Sequence, residues 1–199
     1  MWAFDVEPVP YVGVAESCGV KVVKCDLERD DLGVAGADCA VFSEVLEHLH
    51  YYYAPAVLAK ISRALKPGGV LVLTTPNVAS LFRRLRLLLG RQPVYRYHVR
   101  EYTMGEVVSM VGAAGFRVVE AYYSIVNDLT FVDAEREDYP RVSGCIDLVR
   151  LLAKRPSRLN ALRLLAYPLV RLRPSLRQLI VVVGVKVGEP KPEAVERWG

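Results

Sequence analysis

The sequence predicts an α/β fold in which a mostly parallel β-sheet carries helices on both faces. Short apolar runs, each bounded by glycine or an acidic residue, are typical of buried parallel strands. Segments with helical spacing of apolar residues separate these runs, so strand and helix alternate along the chain. Such alternation indicates parallel strands joined by right-handed helical crossovers.

Five apolar runs are predicted to be strands. They cover residues 20–25, 38–43, 70–75, 116–124 and 179–187. Some fifty residues separate the last two runs, which a simple hairpin would not need. This insert is predicted to hold an acidic loop at 133–138 and then helices rich in leucine and arginine, ending near residue 173.

Helical patterns cover residues 8–18, 54–65 and about 79–89. The second pattern stops before Pro67-Gly68-Gly69, a sequence that does not continue a helix. A further helix is predicted to open at Thr103, where Glu106 three residues later completes a capping box, and to end at Gly115.

Composition favours a single globular domain. Of the 199 residues, 52% are hydrophobic and 24% charged, and no apolar stretch has the length of a membrane span. No secretory signal is visible at the start of the chain, which favours a cytoplasmic location. The net charge of +4 is mild and forms no basic stripe, so we expect no nucleic-acid partner.

Residue usage adds two expectations. The four cysteines have no paired or regular spacing, so neither a zinc site nor a disulfide framework is indicated, and we expect them in the core. Glutamine and asparagine are scarce while arginine and branched aliphatic residues are abundant, which favours a thermophile as the source.

Four segments together carry a family resemblance. They are residues 38–49 (DCAVFSEVLEHL), 61–69 (ISRALKPGG), 70–77 (VLVLTTPN) and 98–103 (HVREYT). In this order and spacing they resemble the class I S-adenosylmethionine-dependent methyltransferases of the ubiquinone-biosynthesis-like, type 11, group. The resemblance implies a Rossmann-like, doubly wound sheet with an antiparallel last strand. It also implies a core at residues 1–124 and 179–188 and a helical insert or lid at 125–178.

The resemblance further implies residues that bind S-adenosyl-L-methionine. Asp5 follows what resembles the second strand of the family, where a carboxylate accepts from the ribose hydroxyls; the alternative is a charge that favours a helix N-terminus. Asp26 and Leu27 follow the third strand on the adenine side, although Asp26 also suits a turn. Ser43 and Glu44 end the fourth strand, over the cofactor.

One part of the family pattern is absent from the sequence. In the family a first strand with a Gly-x-Gly turn precedes the second strand, and nothing before Trp2 matches it. That strand lies in the middle of the family's sheet, so its neighbours would lack backbone partners. We expect a coding start farther upstream. A strand from a partner chain, or a relative that no longer binds cofactor, is the alternative.

Acid–base and metal chemistry are predicted for a few residues. Glu44, Glu47 and His48 stand at i, i+3 and i+4, a spacing that places them on one helical face, and some relatives hold a divalent cation with this pattern. The alternative is that they only cap the loop. His98, in a loop that faces the acceptor in relatives, and His48 are the candidate bases, and His98 also suits a loop anchor.

The methyl acceptor is not indicated by the sequence, and a small molecule, a lipid or a glycan are all open. The leucine- and arginine-rich segments at 80–89 and 158–173 suit either peripheral contact with an anionic membrane, with a lipid-linked acceptor, or a lid or homodimer face. A non-catalytic scaffold protein is the alternative to an enzyme. A nicotinamide-dependent oxidoreductase is disfavoured, because the Pro-Gly-Gly turn and the Leu-Glu-His segment have no role there.

Overall fold

The computed structural model describes residues 1–7, 12–125, 144–154 and 156–191. The strands are β1 (Trp2–Asp5), β2 (Lys21–Lys24), β3 (Ala37–Ser43), β4 (Leu65–Pro76), β5 (Phe116–Ser124) and β6 (Leu179–Lys186). The helices are α1 (Val12–Ser17), α2 (Ala54–Ala64), α3 (Leu81–Leu88), α4 (Met104–Ala113), α5 (Cys145–Lys154) and α6 (Arg158–Leu172). The acidic loop predicted at 133–138 and the start of the first predicted helix lie outside the described residues.

The strands form two sheets. β1 pairs with β2 in parallel, and the second sheet has the order β3-β4-β6-β5. β3 and β4 are parallel, whereas β6 runs antiparallel to both β4 and β5. This mixed sheet confirms the α/β, Rossmann-like fold with an antiparallel last strand. No described strand pairs the smaller sheet with the larger one.

The core lies between the larger sheet and two helices. Because successive side chains of a strand point to opposite faces, Leu71 and Leu73 of β4 are fully buried on one face while Val72 is half-buried on the other. α2 covers the buried face with Val57, Leu58 and Ile61, at the i, i+1, i+4 spacing of a helix. α4 buries its apolar residues in the same cluster.

The α2–β4 junction differs from the prediction. β4 begins at Leu65 rather than at residue 70, because Leu65 is already extended and pairs with Ala37. An irregularity follows, and regular pairing resumes at Val70 opposite Cys39. Gly69 is required here, since a Cβ at this position would lie 2.9 Å from the carbonyl oxygen of Lys66.

The prediction that all four cysteines lie in the core is wrong. Only Cys25 is buried, and burial raises the pKa of its thiol. The other three cysteines are exposed. Cys18 follows the short helix α1, and Cys145 begins α5. Cys39 lies on a face of β3 that no described helix covers.

The capping box before α4 is confirmed. The backbone N–H of Glu106 donates to the Thr103 hydroxyl at 3.4 Å, and the backbone N–H of Thr103 donates to the Glu106 carboxylate at 2.8 Å. The two bonds satisfy donors that a helix start leaves without partners. They also fix the loop before α4, which contains His98.

Hydrogen bonds from Asn77 fix the end of β4. The side-chain amide of Asn77 donates to the backbone oxygens of Ser175 and Arg177, at 3.0 and 2.7 Å. The segment between α6 and β6 is thereby held at the edge where β3 and β4 end. None of the described helices is long and apolar enough to cross a bilayer.

Candidate functional site

The carboxyl ends of β1 and β2 bring two predicted cofactor residues to one edge. The parallel register pairs Asp5 with Lys24, and the backbone N–H of Cys25 donates to the Asp5 carbonyl at 2.9 Å. Asp26 follows immediately. These two acidic residues therefore lie at one edge of the sheet, and such an edge is where open α/β sheets bind ligands.

Both carboxylates also order the turns in which they lie. Asp5 Oδ1 accepts from the backbone N–H of Glu7 at 2.8 Å, and Asp26 Oδ1 accepts from that of Glu28 at 3.0 Å. The Asp5 side chain is exposed and that of Asp26 is 38% exposed, so each can still receive donors from a ligand. A turn role and a ligand role are compatible at both positions.

The loop after β2 is fastened to the elements around it. Lys60 Nζ of α2 donates to the backbone oxygens of Leu27 and Asp30, at 3.1 and 2.7 Å. The Leu27 side chain packs against the main core. The backbone N–H of His50 donates to Glu28 at 2.6 Å, which ties this loop to the segment after β3.

The end of β3 is a sharp turn at Glu44. Ser43 Oγ lies 2.7 Å from Thr74 Oγ1 of β4, which donates to Glu44 Oε1 at 2.9 Å. The φ angle of Glu44 is +53°, a left-handed conformation that is uncommon for residues other than glycine and often marks functional sites. Burial raises the pKa of this carboxyl, against the hydrogen bond from Thr74.

The prediction that Glu44, Glu47 and His48 share one helical face is wrong. The chain reverses at Glu44, and only Leu46–His48 forms a short 3-10 turn. The structure instead groups Glu47 and His48 with His98, whose possible ligand atoms all lie within 4.8 Å of one another. The two imidazole rings are 5.0 Å apart, edge to face. Glu44 lies outside this group.

Glu47 is buried and anchors the group. Thr75 Oγ1 donates to Glu47 Oε2 at 2.9 Å, and the Glu47 carbonyl accepts from the backbone N–H of Val99 at 2.9 Å. The second bond brings the loop with His98 to Glu47. Burial raises the pKa of Glu47 to about 7; the charges of Glu44 and Glu101 add to this shift, and the hydrogen bonds to the carboxylate oppose it.

Hydrogen bonds at Nδ1 orient both histidines. His48 Nδ1 lies 3.2 Å from the Tyr97 carbonyl oxygen, and His98 Nδ1 lies 2.8 Å from Glu101 Oε1. A carbonyl or carboxylate at Nδ1 selects the tautomer in which Nδ1 donates. The Nε2 atom of each ring then carries the lone pair that accepts a proton or binds a metal.

Glu101 was not predicted from the sequence. Its side chain is fully buried and accepts two hydrogen bonds from Arg83 of α3, at 2.7 and 2.6 Å. The backbone N–H of Tyr95 donates to the same carboxylate at 3.1 Å. The available signal was its place three residues after His98 in the HVREYT segment.

Residues 15–121, more than half of the chain, match the family described as a methyltransferase domain. The chain belongs to the methyltransferase domain family. A Mycolicibacterium smegmatis relative named a probable S-adenosylmethionine-dependent methyltransferase is 33% identical over 85 residues, which are 42% of this methyltransferase-family chain and 30% of the relative.

Solved structures share the fold of this methyltransferase-family chain. The 1,6-didemethyltoxoflavin-N1-methyltransferase of Burkholderia thailandensis, solved with S-adenosylhomocysteine, has 18% identity and a TM-score of 0.51, covering 94% of this chain and 61% of its own. An S-adenosylmethionine-dependent methyltransferase of Archaeoglobus fulgidus has 16% identity and a TM-score of 0.54, covering 93% and 85%. The predicted family and fold class are confirmed. The chain spans about 30% of the curated relative's length.

Proposed function

We propose that this chain belongs to an enzyme that transfers the methyl group of S-adenosyl-L-methionine to an oxygen or nitrogen of its acceptor. Family membership supports the reaction class. The observation that carries the proposal is the placement of Asp5 and Asp26 at one sheet edge. It is joined by the group in which Glu47 and His48, after β3, meet His98 of the loop before α4. Bound S-adenosylmethionine supplies an electrophilic methyl on a positively charged sulfur.

The donor side of this site uses the strand tips. Asp5 would accept from both ribose hydroxyls, since one carboxylate can receive two donors. Asp26 and Leu27 would contact the adenine, in a loop that Lys60 holds in place before the cofactor arrives. Ser43 and Glu44 would line the cofactor at the end of β3. A preformed site of this kind lowers the ordering cost of binding.

The acceptor side uses His98 as the base. Methyl transfer to an acceptor oxygen or nitrogen would leave the donor sulfur neutral, with the electron pair of its broken bond, and would require the acceptor to give up a proton. The acceptor's proton passes to His98 Nε2. Glu101 at Nδ1 orients the ring and stabilises the cation that forms. His48, in edge contact with His98, is the second candidate base.

A second candidate role for the same group is to hold a divalent cation. Glu47, His48 and His98 offer mixed oxygen and nitrogen ligands, and each imidazole has the Nδ1 partner typical of metal-binding histidines. A bound cation would lower the pKa of an acceptor hydroxyl. Calorimetric titration of chelator-treated protein with Mn²⁺ tests this role: a signal lost in Glu47→Gln but kept in Glu120→Gln supports it, and no signal rejects it.

The proposed reaction is tested with a labelled methyl donor. Full-length protein incubated with candidate acceptors should transfer label, and His98→Asn should reduce transfer about 10²-fold or more. Equal activity of His98→Asn would remove this residue from the mechanism. A folded protein whose melting temperature does not respond to S-adenosylmethionine would favour the non-catalytic scaffold.

A further inference from the structure

α6 exposes a stripe of leucines. Leu162, Leu165, Leu169 and Leu172 are all exposed and recur every three or four residues, so they share one helical face. Leu165 and Leu172 are 76% and 77% exposed, unusual for such large apolar side chains. Buried Ala166 and Val170 mark a different face, which packs inward. The leucine stripe is therefore not part of the core formed by the described residues.

α3 and its last turn add a second set of exposed leucines. Leu87, Leu88 and Leu89 are 63%, 82% and 72% exposed. The two helices are neighbours, since Phe82 of α3 and Tyr167 of α6 line the same small cavity. We call the exposed leucines and arginines of α3 and α6 the Leu/Arg surface. Exposed apolar groups gathered on adjacent elements mark interaction sites.

The two sequence segments that carry these leucines hold charge of one sign. Residues 79–100 and 148–188 contain arginine and lysine but no aspartate or glutamate. Arg84 and Arg86 of α3 and Arg171 and Arg173 at the end of α6 are exposed. Leucine on a surface helix beside arginine is the pattern of helices that lie in the interface of anionic bilayers.

The charge of the Leu/Arg surface also favours a bilayer over a second copy of the chain as its binding partner. In a two-fold dimer the same surface would meet itself. The arginines of one copy would then approach those of the other, with no acidic side chain in either segment to offset them. An anionic bilayer instead offers an apolar phase for the leucines and negative head groups for the arginines.

The Leu/Arg surface adjoins the candidate site. Arg83 of α3 holds Glu101, which orients His98. Asn77 at the end of β4 holds the segment that follows α6. We propose that the Leu/Arg surface docks the protein on an anionic bilayer and presents His98 to a lipid-linked acceptor. The presentation of His98 to an acceptor rests on the proposed function.

Vesicle sedimentation tests the docking. The full protein should pellet with vesicles of phosphatidylcholine containing about 30% phosphatidylglycerol, and pellet poorly with phosphatidylcholine alone or at about 0.5 M salt. Leu165→Glu/Leu172→Glu should reduce partitioning at least about tenfold. The matched control is Val14→Glu, because Val14 is 71% exposed on α1, which is not part of the Leu/Arg surface. Circular dichroism of each variant shows that it is folded.

Charge variants provide an independent readout. Arg171→Gln and Arg173→Gln should each lower partitioning into the anionic vesicles about fivefold, since a basic residue near such a surface is worth roughly 1 kcal/mol. Arg117→Gln, on exposed β5, should leave partitioning unchanged. Two outcomes would overturn the proposal: wild-type protein that does not pellet with anionic vesicles, or leucine variants that pellet as well as wild type.

Further measurements separate the remaining possibilities. A wild-type dimer that Leu165→Glu/Leu172→Glu converts to monomer, without vesicle binding, would assign the surface to a second copy and reject the bilayer. S-adenosylhomocysteine affinity is measured on the same samples. Vesicle binding without cofactor affinity would reject the proposed function alone, and cofactor affinity without vesicle binding would reject the docking alone.

Discussion

The Nδ1 atom of His98 lies 2.8 Å from Oε1 of Glu101. The same carboxylate accepts two hydrogen bonds from Arg83, so α3 determines how the His98 ring is held. A carboxylate behind an imidazole fixes its tautomer and makes Nε2 a better acceptor. Glu101 is therefore a positioning residue for the proposed base.

Glu101→Gln should lower kcat for methyl transfer about 10- to 100-fold, because the carboxylate behind His98 becomes a neutral amide. The affinity for S-adenosylhomocysteine, measured by calorimetry, should not change, since the Glu101 side chain bonds to Arg83, Tyr95 and His98 and to none of the proposed cofactor residues. Glu120→Gln, on exposed β5, is the control and should match wild type. A parallel loss of kcat and cofactor affinity would indicate a general structural defect instead.

Arg83→Met should lower the free energy of unfolding by about 3–5 kcal/mol, because it leaves the buried Glu101 carboxylate without its charge partner. Urea unfolding followed by circular dichroism measures this loss. Arg84→Met is the matched control: Arg84 neighbours Arg83 but is exposed, and its removal should cost less than about 0.5 kcal/mol. Equal losses in the two variants would show that the Arg83–Glu101 ion pair makes no particular contribution to the free energy of unfolding.

The capping box should make stability depend on pH. Burial acts to raise the pKa of Glu106, but hydrogen bonds from Thr103 and Arg100 outweigh it and hold the pKa below its usual value. The stabilisation from a carboxylate with a lowered pKa is present above the unfolded-state value and disappears as pH falls through the folded-state value. Glu106→Gln should therefore destabilise the protein at pH 7 and much less near pH 3.

Urea titrations at the two pH values measure the Glu106 effect. Thr103→Ala removes the hydroxyl of the box and should cost about 1 kcal/mol at neutral pH. Glu120→Gln controls for a loss of negative charge alone. A Glu106→Gln penalty of the same size at both pH values would contradict the assigned ionised hydrogen bonds.

Local patterns predicted much of the fold. Short apolar runs bounded by glycine or acidic residues identify β3, β5 and β6 nearly to their ends. The Thr103–Glu106 box is likewise local, since both partners lie within one helical turn. The order of the family segments also predicted which strands are parallel.

Long-range contacts explain what the sequence did not reveal. A helical face for Glu44, Glu47 and His48 assumed continuous helix, whereas the hydrogen bond from Thr74 holds Glu44 in a left-handed turn. Glu101 acquires its role only when Arg83 and His98 approach it in three dimensions. Residue spacing carries no record of such contacts.

The role of the two strand-end carboxylates in cofactor binding is tested most directly by calorimetric titration of the full-length protein with S-adenosylhomocysteine, compared with Asp5→Asn and Asp26→Asn. Wild type is expected to bind, and loss of either carboxylate should weaken binding about tenfold or more, because each gives up a charge-assisted hydrogen bond. Asp31→Asn, an exposed control beyond the Asp26 turn, should bind like wild type. A full-length protein that shows no affinity, or an Asp5→Asn variant that binds as tightly as wild type, would contradict that role.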